Sequence, residues 1–379
     1  MSGTITKIPL AKPSIGAEEI SALNEYISED TCIAGTCGIV REFENRFAEF
    51  VGSAYAVACS SCTTALHVAC LALGVGKGSR VAIPGYTFPA TGFASMYCGA
   101  DVDIIDVDDD TWNMDPGKLI DKYKGIFTRD PDVVMPVHCF GNPADMDSIM
   151  DFAEVHGAAV IEDAACALPA YYSDGRHCGT IGDIGCYSFY AIKNLCTGEG
   201  GMAVTDNKEL ADTMRSLVDF GKTGFPGSDL PQFAQLGYNY RLSGLQAIFG
   251  IEQLKKLPEM HKRRKEIAKQ YNDFFRGYST IKEQYVYDGC SNAYQRYAVV
   301  LDKQYDPNAI RKSLASLGVQ TAIGTYDLST QPVFRNLTVP LPVSGRLFRQ
   351  SISLPMYPGL TDEQVQYVCD MFKKSLIKL

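Results

Sequence analysis

Apolar runs of strand length alternate with segments of helical spacing through the first half of the chain, and this alternation limits the fold more than any other feature. The runs are Tyr55–Cys59, Arg80–Pro84, Asp103–Val107, Asp132–His138 and Ala158–Asp163. After the first of them, Ala65, Leu66, Ala69 and Leu73 keep the spacing of one helix face, and Gly74 offers a C-cap. Strand and helix in repetition predict an α/β fold with a mostly parallel sheet sandwiched by helices. Such sheets bind ligands beyond the carboxyl ends of their strands. Past Leu254 the pattern changes to a long polar helix, shorter elements around the strand-like Ala298–Leu301, and a last helix over Thr361–Lys378. That change predicts a large domain over 1–254, N-terminal segment included, and a smaller C-terminal α+β domain over 255–379.

Composition excludes several classes of function. A chain of 379 residues, 46% hydrophobic and 21% charged, can bury a large core and has an ordinary globular balance. Its net charge of −9 leaves no electrostatic footprint for nucleic acid. The one basic run, Lys262-Arg263-Arg264-Lys265, lies in a helical pattern with Met260, Ile267 and Tyr271 across from it and reads as a solvated face. No run of about 18 apolar residues suggests a membrane span, and the first residues do not resemble a secretion signal. Thirteen cysteines in such a chain predict reduced thiols and a cytoplasmic location. Cys59-Ser-Ser-Cys62 has redox or zinc spacing, but no second pair and no His-x-x-x-His accompany it, so no metal site is expected. Gly74-x-Gly76-x-Gly78 follows a helix rather than a strand, which disfavours a nicotinamide cofactor.

The chemistry concentrates between Gly185 and Asp206, where two strand-like runs flank a glycine-rich turn carrying Lys193. A lysine beside Tyr187, Phe189, Tyr190 and Ile192 is poorly hydrated, which favours the neutral amine and Schiff-base chemistry; the alternative is a solvated loop lysine. Ser60-Ser-Cys-Thr-Thr joins a strand to a helix through a hydroxyl-rich turn that is either an ordinary N-cap or a phosphate site. Phe88 is core or a stacking ring at a strand end. Asp163 is an N-cap or a buried anion awaiting a cation such as a protonated ring nitrogen. The loop at Gly35 and Thr36 is structural or edges a substrate pocket, and Asn239 and Arg241 stand at the mouth of an apolar helix.

Together these pieces resemble the DegT/DnrJ/EryC1/StrS sugar aminotransferases, a branch of the fold type I, aspartate aminotransferase-like enzymes. The resemblance rests on Ser60-Ser-Cys-Thr-Thr-Ala-Leu66, Tyr86-Thr-Phe-Pro-Ala-Thr91, Pro136-Val-His-Cys-Phe-Gly141, Ile161-Glu-Asp-Ala-Ala165, Ser188-Phe-Tyr-Ala-Ile-Lys193 with Thr197-Gly-Glu-Gly-Gly201, and Gly237-Tyr-Asn-Tyr-Arg241, in that chain order. It implies that the large domain binds pyridoxal 5′-phosphate, with Lys193 as the catalytic residue forming the aldimine, Asp163 on the pyridine nitrogen and Phe88 on the ring. Thr63, flanked by Ser61 and Cys62, and Ser188 would hold the phosphate, Cys166 would lie near the cofactor, and Asn239 would arrive from the partner subunit of a homodimer with shared sites. Gly35, Thr36 and Tyr326 would border the substrate.

The reaction implied is ping-pong transfer from an amino acid, glutamate being the usual donor, to a nucleotide-linked keto-deoxysugar. The alternatives are a cyclitol or other ketone as acceptor, or a non-catalytic cofactor-binding or regulatory homologue. A dehydratase branch of the same fold carries His where Lys193 stands. The family commonly has Gly in place of Cys62, Gln in place of Cys166, Glu in place of Gly244, and a sugar-contacting His near Ile323-Gly-Thr-Tyr326.

Overall fold

The computed structural model describes residues 7–29, 33–125, 128–224, 230–337 and 340–377. Its large sheet is built from β1 (Tyr55–Cys59), β2 (Arg80–Pro84), β4 (Asp101–Ile105), β5 (Val133–Val134), β6 (Ala159–Asp163), β7 (Ile184–Ser188) and β8 (Gly201–Thr205), with the short β3 (Tyr86–Thr87) lying outside it. The strand order is β1-β8-β7-β6-β5-β2-β4. Neighbours from β7 to β4 run parallel, and β8 alone is antiparallel to both its partners, β1 and β7. The carboxyl ends of β1, β2, β5, β6 and β7 therefore share one edge.

Two expected strands are displaced. The third begins at Asp101 rather than Asp103, and Val107 forms only an isolated bridge with Met114. The run from Asp132 to His138 contributes two ladder residues, because Pro136 has no N–H to donate. Its Val137 still bridges Asp163.

Alternating residues of each strand feed cores on opposite faces of the sheet. Val57, Cys59, Ile83, Ile161 and Ile184 meet Leu66, Ala94 and Met214 from three helices of one layer. Ala56, Ala58, Tyr187 and Met202 meet Phe43, Phe47, Ile251 and Leu254 on the other face. Further along that face, Ala82, Val134 and Val160 are covered by Leu119, Ile149 and Phe152. The helices are α1 (Ala17–Ser28), α2 (Gly38–Val51), α3 (Cys62–Ala72), α4 (Ala90–Tyr97), α5 (Pro116–Tyr123), α6 (Met146–His156), α7 (Lys208–Val218) and α8 (Gly244–Phe275).

Helix α8 is 32 residues long, roughly 48 Å, and runs unbroken through position 254 with Pro258 inside it. Its first half packs on the large sheet, while Ile267, Tyr271 and Phe275 join a separate C-terminal core. After the hairpin of β9 (Lys222–Gly224) and β10 (Pro231–Phe233) come β11 (Ile281–Glu283), β12 (Tyr297–Leu301), β13 (Tyr326–Asp327) and β14 (Ser351–Leu354). The antiparallel sheet β11-β12-β14 is covered by α9 (Pro307–Ser316) and α11 (Asp362–Ile377), with α10 (Pro342–Gln350) leading into β14. Ile8 packs in this C-terminal core and bridges Val319. Strand β13 instead pairs with β3, Tyr326 opposite Thr87, which folds the C-terminal part over the strand ends.

No helix among the described residues is long and apolar enough to cross a membrane. Eleven of the described cysteines are free thiols, but Cys37 is disulfide-bonded, which departs from the expectation that all thirteen stay reduced.

Candidate active site

A cavity of about 550 Å³ opens at the shared edge of strand ends. The segments after β1, β3, β6 and β7 supply its floor, and the C-terminal part supplies a wall from Gln295, Arg296 and Ala322–Tyr326.

The turn after β1 is fixed by local hydrogen bonds. Ser61 caps α3, its Oγ accepting from the Thr64 N–H at 3.1 Å, and Thr64 Oγ1 accepts from the Ser61 N–H at 3.0 Å. The N–H groups of Cys62 and Thr63 belong to the first helical turn, where no intrahelical acceptor exists, so this end of the cavity attracts an anion. Gly201 of β8 makes the close packing possible, since a Cβ there would stand 2.4 Å from the Ser61 carbonyl carbon. The Cys62 thiol is buried, and burial pushes its pKa up.

Asp163, at the end of β6, is 5% exposed. Its Oδ2 accepts from Thr91 Oγ1 at 2.8 Å and its Oδ1 from the Ala165 N–H at 3.1 Å. Burial raises its pKa, outweighing the pull of those hydrogen bonds and of the Lys193 charge. A buried carboxylate so placed gains from a cation in the cavity.

Lys193 lies in the turn after β7, its N–H bonded to the Tyr190 carbonyl at 2.8 Å. It is half-buried, and its Nζ donates to Cys166 Sγ at 3.0 Å. The apolar surroundings divide between the cavity and the core. Tyr190 and Ile192 line the cavity with Lys193, whereas Tyr187 and Phe189 point into the core against Phe47. Asn194 pins the turn by donating to the carbonyls of Leu168 (2.9 Å) and Ala293 (2.8 Å). Ser188 lines the cavity beside Lys193.

Phe88 is 62% exposed at the cavity, its ring centroid 6.0 Å from that of Tyr326 in an edge-on contact. Ser61, Cys62, Thr63, Phe88, Asp163, Cys166, Ser188, Lys193 and Tyr326 are thus brought together around one space. Gly35, Thr36 and Asn239 do not line it. Gly35 packs against Arg241, Thr36 is exposed beside it, and Asn239 is exposed where its backbone bridges Asp219. These residues cluster around the Arg241 turn, where Arg241 is ion-paired to Asp219.

Sequence reasoning missed Thr91, Tyr86, Gln295 and Arg296, all of which line the cavity. Thr91 was within reach, three residues after Phe88 on the first turn of α4. Tyr86 is buried, with its hydroxyl 3.0 Å from Ser351 Oγ and accepting from the Thr325 N–H at 3.2 Å. Those partners are remote in sequence, so no local pattern announces them.

The arrangement offers a helix N-terminus for a dianion, a buried carboxylate for a protonated ring nitrogen, an exposed aromatic ring and an amine. That set fits pyridoxal 5′-phosphate. The profile of the DegT/DnrJ/EryC1/StrS aminotransferase family matches residues 13–373. The spore coat polysaccharide biosynthesis protein SpsC of Bacillus subtilis (strain 168) is 35% identical over 378 residues, covering 96% of this chain and 95% of that protein. GDP-perosamine synthase of Escherichia coli O157:H7 is 32% identical, covering 96% and 97%. Among solved structures, the PLP form of Spr1654 from Streptococcus pneumoniae superposes with a TM-score of 0.90 at 25% identity, covering 98% and 99%. The fold is therefore that of the fold type I aminotransferases, and the chain is an aminotransferase belonging to the DegT/DnrJ/EryC1/StrS family.

Proposed function

We propose that this enzyme uses pyridoxal 5′-phosphate to move an amino group from an amino acid, glutamate in the first instance, to a nucleotide-linked keto-deoxysugar in two half-reactions of ping-pong type. The observation that carries the proposal is the convergence of Lys193, Asp163 and the α3 N-terminus on one cavity. Similarity to GDP-perosamine synthase and to SpsC supports a sugar acceptor.

The bound cofactor would act as an electron sink for the bond broken at the donor carbon. Thr63, its own amide and that of Cys62, and Ser188 would hold its phosphate. Asp163, ionised when a cationic ring nitrogen lies against it, would keep that nitrogen protonated. Phe88 would cover one ring face. Lys193 would bind the cofactor in the resting enzyme and, once released by the donor amine, carry the proton to and from the reacting carbon. Cys166 touches Lys193 Nζ and would orient the amine.

The exposed turn around Asn239 and Arg241, with Gly35 and Thr36 beside it, supports a homodimer in which Asn239 reaches the phosphate of the partner's site. We place the enzyme in the cytoplasm.

Protein reconstituted with the cofactor should absorb in the visible range and bleach on addition of glutamate, whereas Lys193→Ala should do neither. A wild-type protein without the band would sink the proposal. For the shared site, mixing Lys193→Ala with Asn239→Ala should restore part of the activity that each variant lacks. No recovery would mean that each site is built within one chain.

A further inference from the structure

Arg296 precedes β12 and forms part of the cavity wall. Its Nη1 donates to the backbone carbonyls of Ile323 at 3.1 Å and Gly324 at 2.6 Å, and its guanidinium carbon lies 5.7 Å from the centroid of Phe140. All these partners are neutral. Among the described residues Arg296 has no carboxylate within ion-pair distance and no acceptor for Nε or Nη2. Three other half-buried arginines are neutralised, Arg215 by Glu44, Arg241 by Asp219 and Arg263 by Asp362, whereas Arg311, away from the cavity, is met by Asn308.

Arg264 is also held by carbonyls, those of Tyr294, Gln295 and Met356, but it is sealed in the interior. Its effect is to fix the backbone that leads into Arg296. Gln295 ties the same backbone to the lysine turn, its Nε2 donating to the Ile192 carbonyl at 3.1 Å. Arg296 also borders a second groove with Glu283 and Tyr294, but Ile323, Gly324 and Phe140 line only the Lys193 cavity. The charged end therefore belongs to that cavity.

A guanidinium kept partly out of water without an anion is costly unless a ligand supplies one, and its free Nε and Nη2 edge matches a carboxylate in two parallel hydrogen bonds. The geometry points to Arg296 as the residue that recognises a substrate carboxylate next to the carbon whose amine is exchanged. It would thereby select an amino acid as donor, an assignment that rests on the donor half of the proposed function. The Gln295 link to the lysine turn favours a carboxylate near Lys193 over a diphosphate carried further out on an acceptor.

The test is calorimetric titration of the full-length protein with glutarate, an unreactive dicarboxylate, and in parallel with inorganic pyrophosphate. Arg296→Gln should weaken glutarate binding roughly 10- to 100-fold, and Arg296→Lys roughly fivefold to tenfold, because a lysine keeps the charge but loses the fork. The unfolding midpoint of each variant confirms that the fold is intact, and if Arg296→Gln does not fold, the lysine variant carries the test.

Unchanged glutarate binding in the variants overturns the assignment. So does loss of pyrophosphate binding with glutarate binding retained, or the absence of glutarate binding in the wild type. Failure of glutamate to bleach the reconstituted enzyme would remove glutamate as donor, yet Arg296-dependent glutarate binding would stand, so the two ideas fail separately.

Discussion

Glu162 and Asp163 are consecutive buried residues of β6, and strand geometry sends their side chains to opposite faces of the sheet. Behind the sheet, Glu162 Oε1 accepts from the N–H groups of Ile181 (2.6 Å) and Gly182 (2.7 Å). Its Oε2 accepts from the Gly179 N–H (2.7 Å) and His138 Nε2 (2.9 Å). His138 Nδ1 accepts from the Ala144 N–H at 3.1 Å, so Nε2 is the protonated nitrogen. Burial alone would raise the pKa of Glu162, but the hydrogen bond from His138 and those from the amides of Gly182 and Gly179 bring it below the usual value. Asp163, with two donors and an open side toward Lys193, is shifted the other way. The contrast separates two uses of a buried carboxylate. One is saturated and holds the loop from His177 to Gly182 against the strand; the other keeps acceptor capacity for a cationic ligand.

The largest effect that would sharpen this contrast is on turnover. Asp163→Asn should cut transamination by roughly 10²- to 10³-fold with little change in unfolding midpoint, because it removes a preorganised charge facing the cofactor. Steady-state rates and a thermal melt on the same sample check both halves. Glu162→Gln should do the converse. Its amide donors cannot serve all four hydrogens aimed at it, so stability should fall by about 3 kcal/mol while the cofactor-bound fraction that stays folded keeps its kinetics. The distinction between the two carboxylates breaks if both variants lose rate equally at unchanged stability.

Thr91→Val removes one of Asp163's two donors. It should push the Asp163 pKa further up and lower the rate about tenfold, a loss visible as a change in the acid limb of the pH profile. A rate within error of the wild type would mean that Thr91 only packs there.

The smallest expected effect concerns pH. His177, on the loop that Glu162 anchors, is held down to about 4 by burial and by the positive charge of His261. Below the unfolded value of 6.5 the unfolded chain takes up a proton that the folded chain refuses, so acidification from pH 7 to 5 should cost on the order of 1 kcal/mol. Glu162 acts in the same sense at lower pH, since its stabilisation is present above its ordinary 4.5 and is lost as pH falls through its lowered folded value. Asp163 opposes both: between its ordinary 3.8 and its raised folded value, acid favours the folded state. His177→Phe should flatten the dependence of melting temperature between pH 7 and 5, and an unaltered slope would assign the acid sensitivity elsewhere.

The sheet and the cofactor end of the cavity were legible because their signals are local. The turn of Ser61 to Thr64 is a three-residue hydrogen-bond pattern, Asp163 ends an apolar run, and Lys193 sits between two runs that become β7 and β8. The antiparallel setting of β8 was not legible, since an apolar run carries no sign of its direction. Glu162 was also passed over. Next to Asp163 in sequence it looks equivalent, and only the fold shows that four donors converge on it.

The cavity wall shows the same limit more strongly. Tyr86 meets Ser351, which lies 265 positions further along the chain, and Ser351 in turn accepts from the N–H of Gly324, whose carbonyl Arg296 holds. A Cβ on Gly324 would stand 2.1 Å from the Tyr86 hydroxyl, so the glycine there answers to packing alone. Gly35, Thr36 and Asn239 carried motif-like signals, and the fold gathers them around Arg241, outside the Lys193 cavity of their own chain. Periodicity and capping, which act within a few residues, were enough to determine the parallel sheet and to place Lys193, Asp163 and the α3 turn at its edge. Which side of β6 faces the cavity, what closes its wall and which charges remain unpaired there were decided only by tertiary packing, because those contacts join segments with no shared local period.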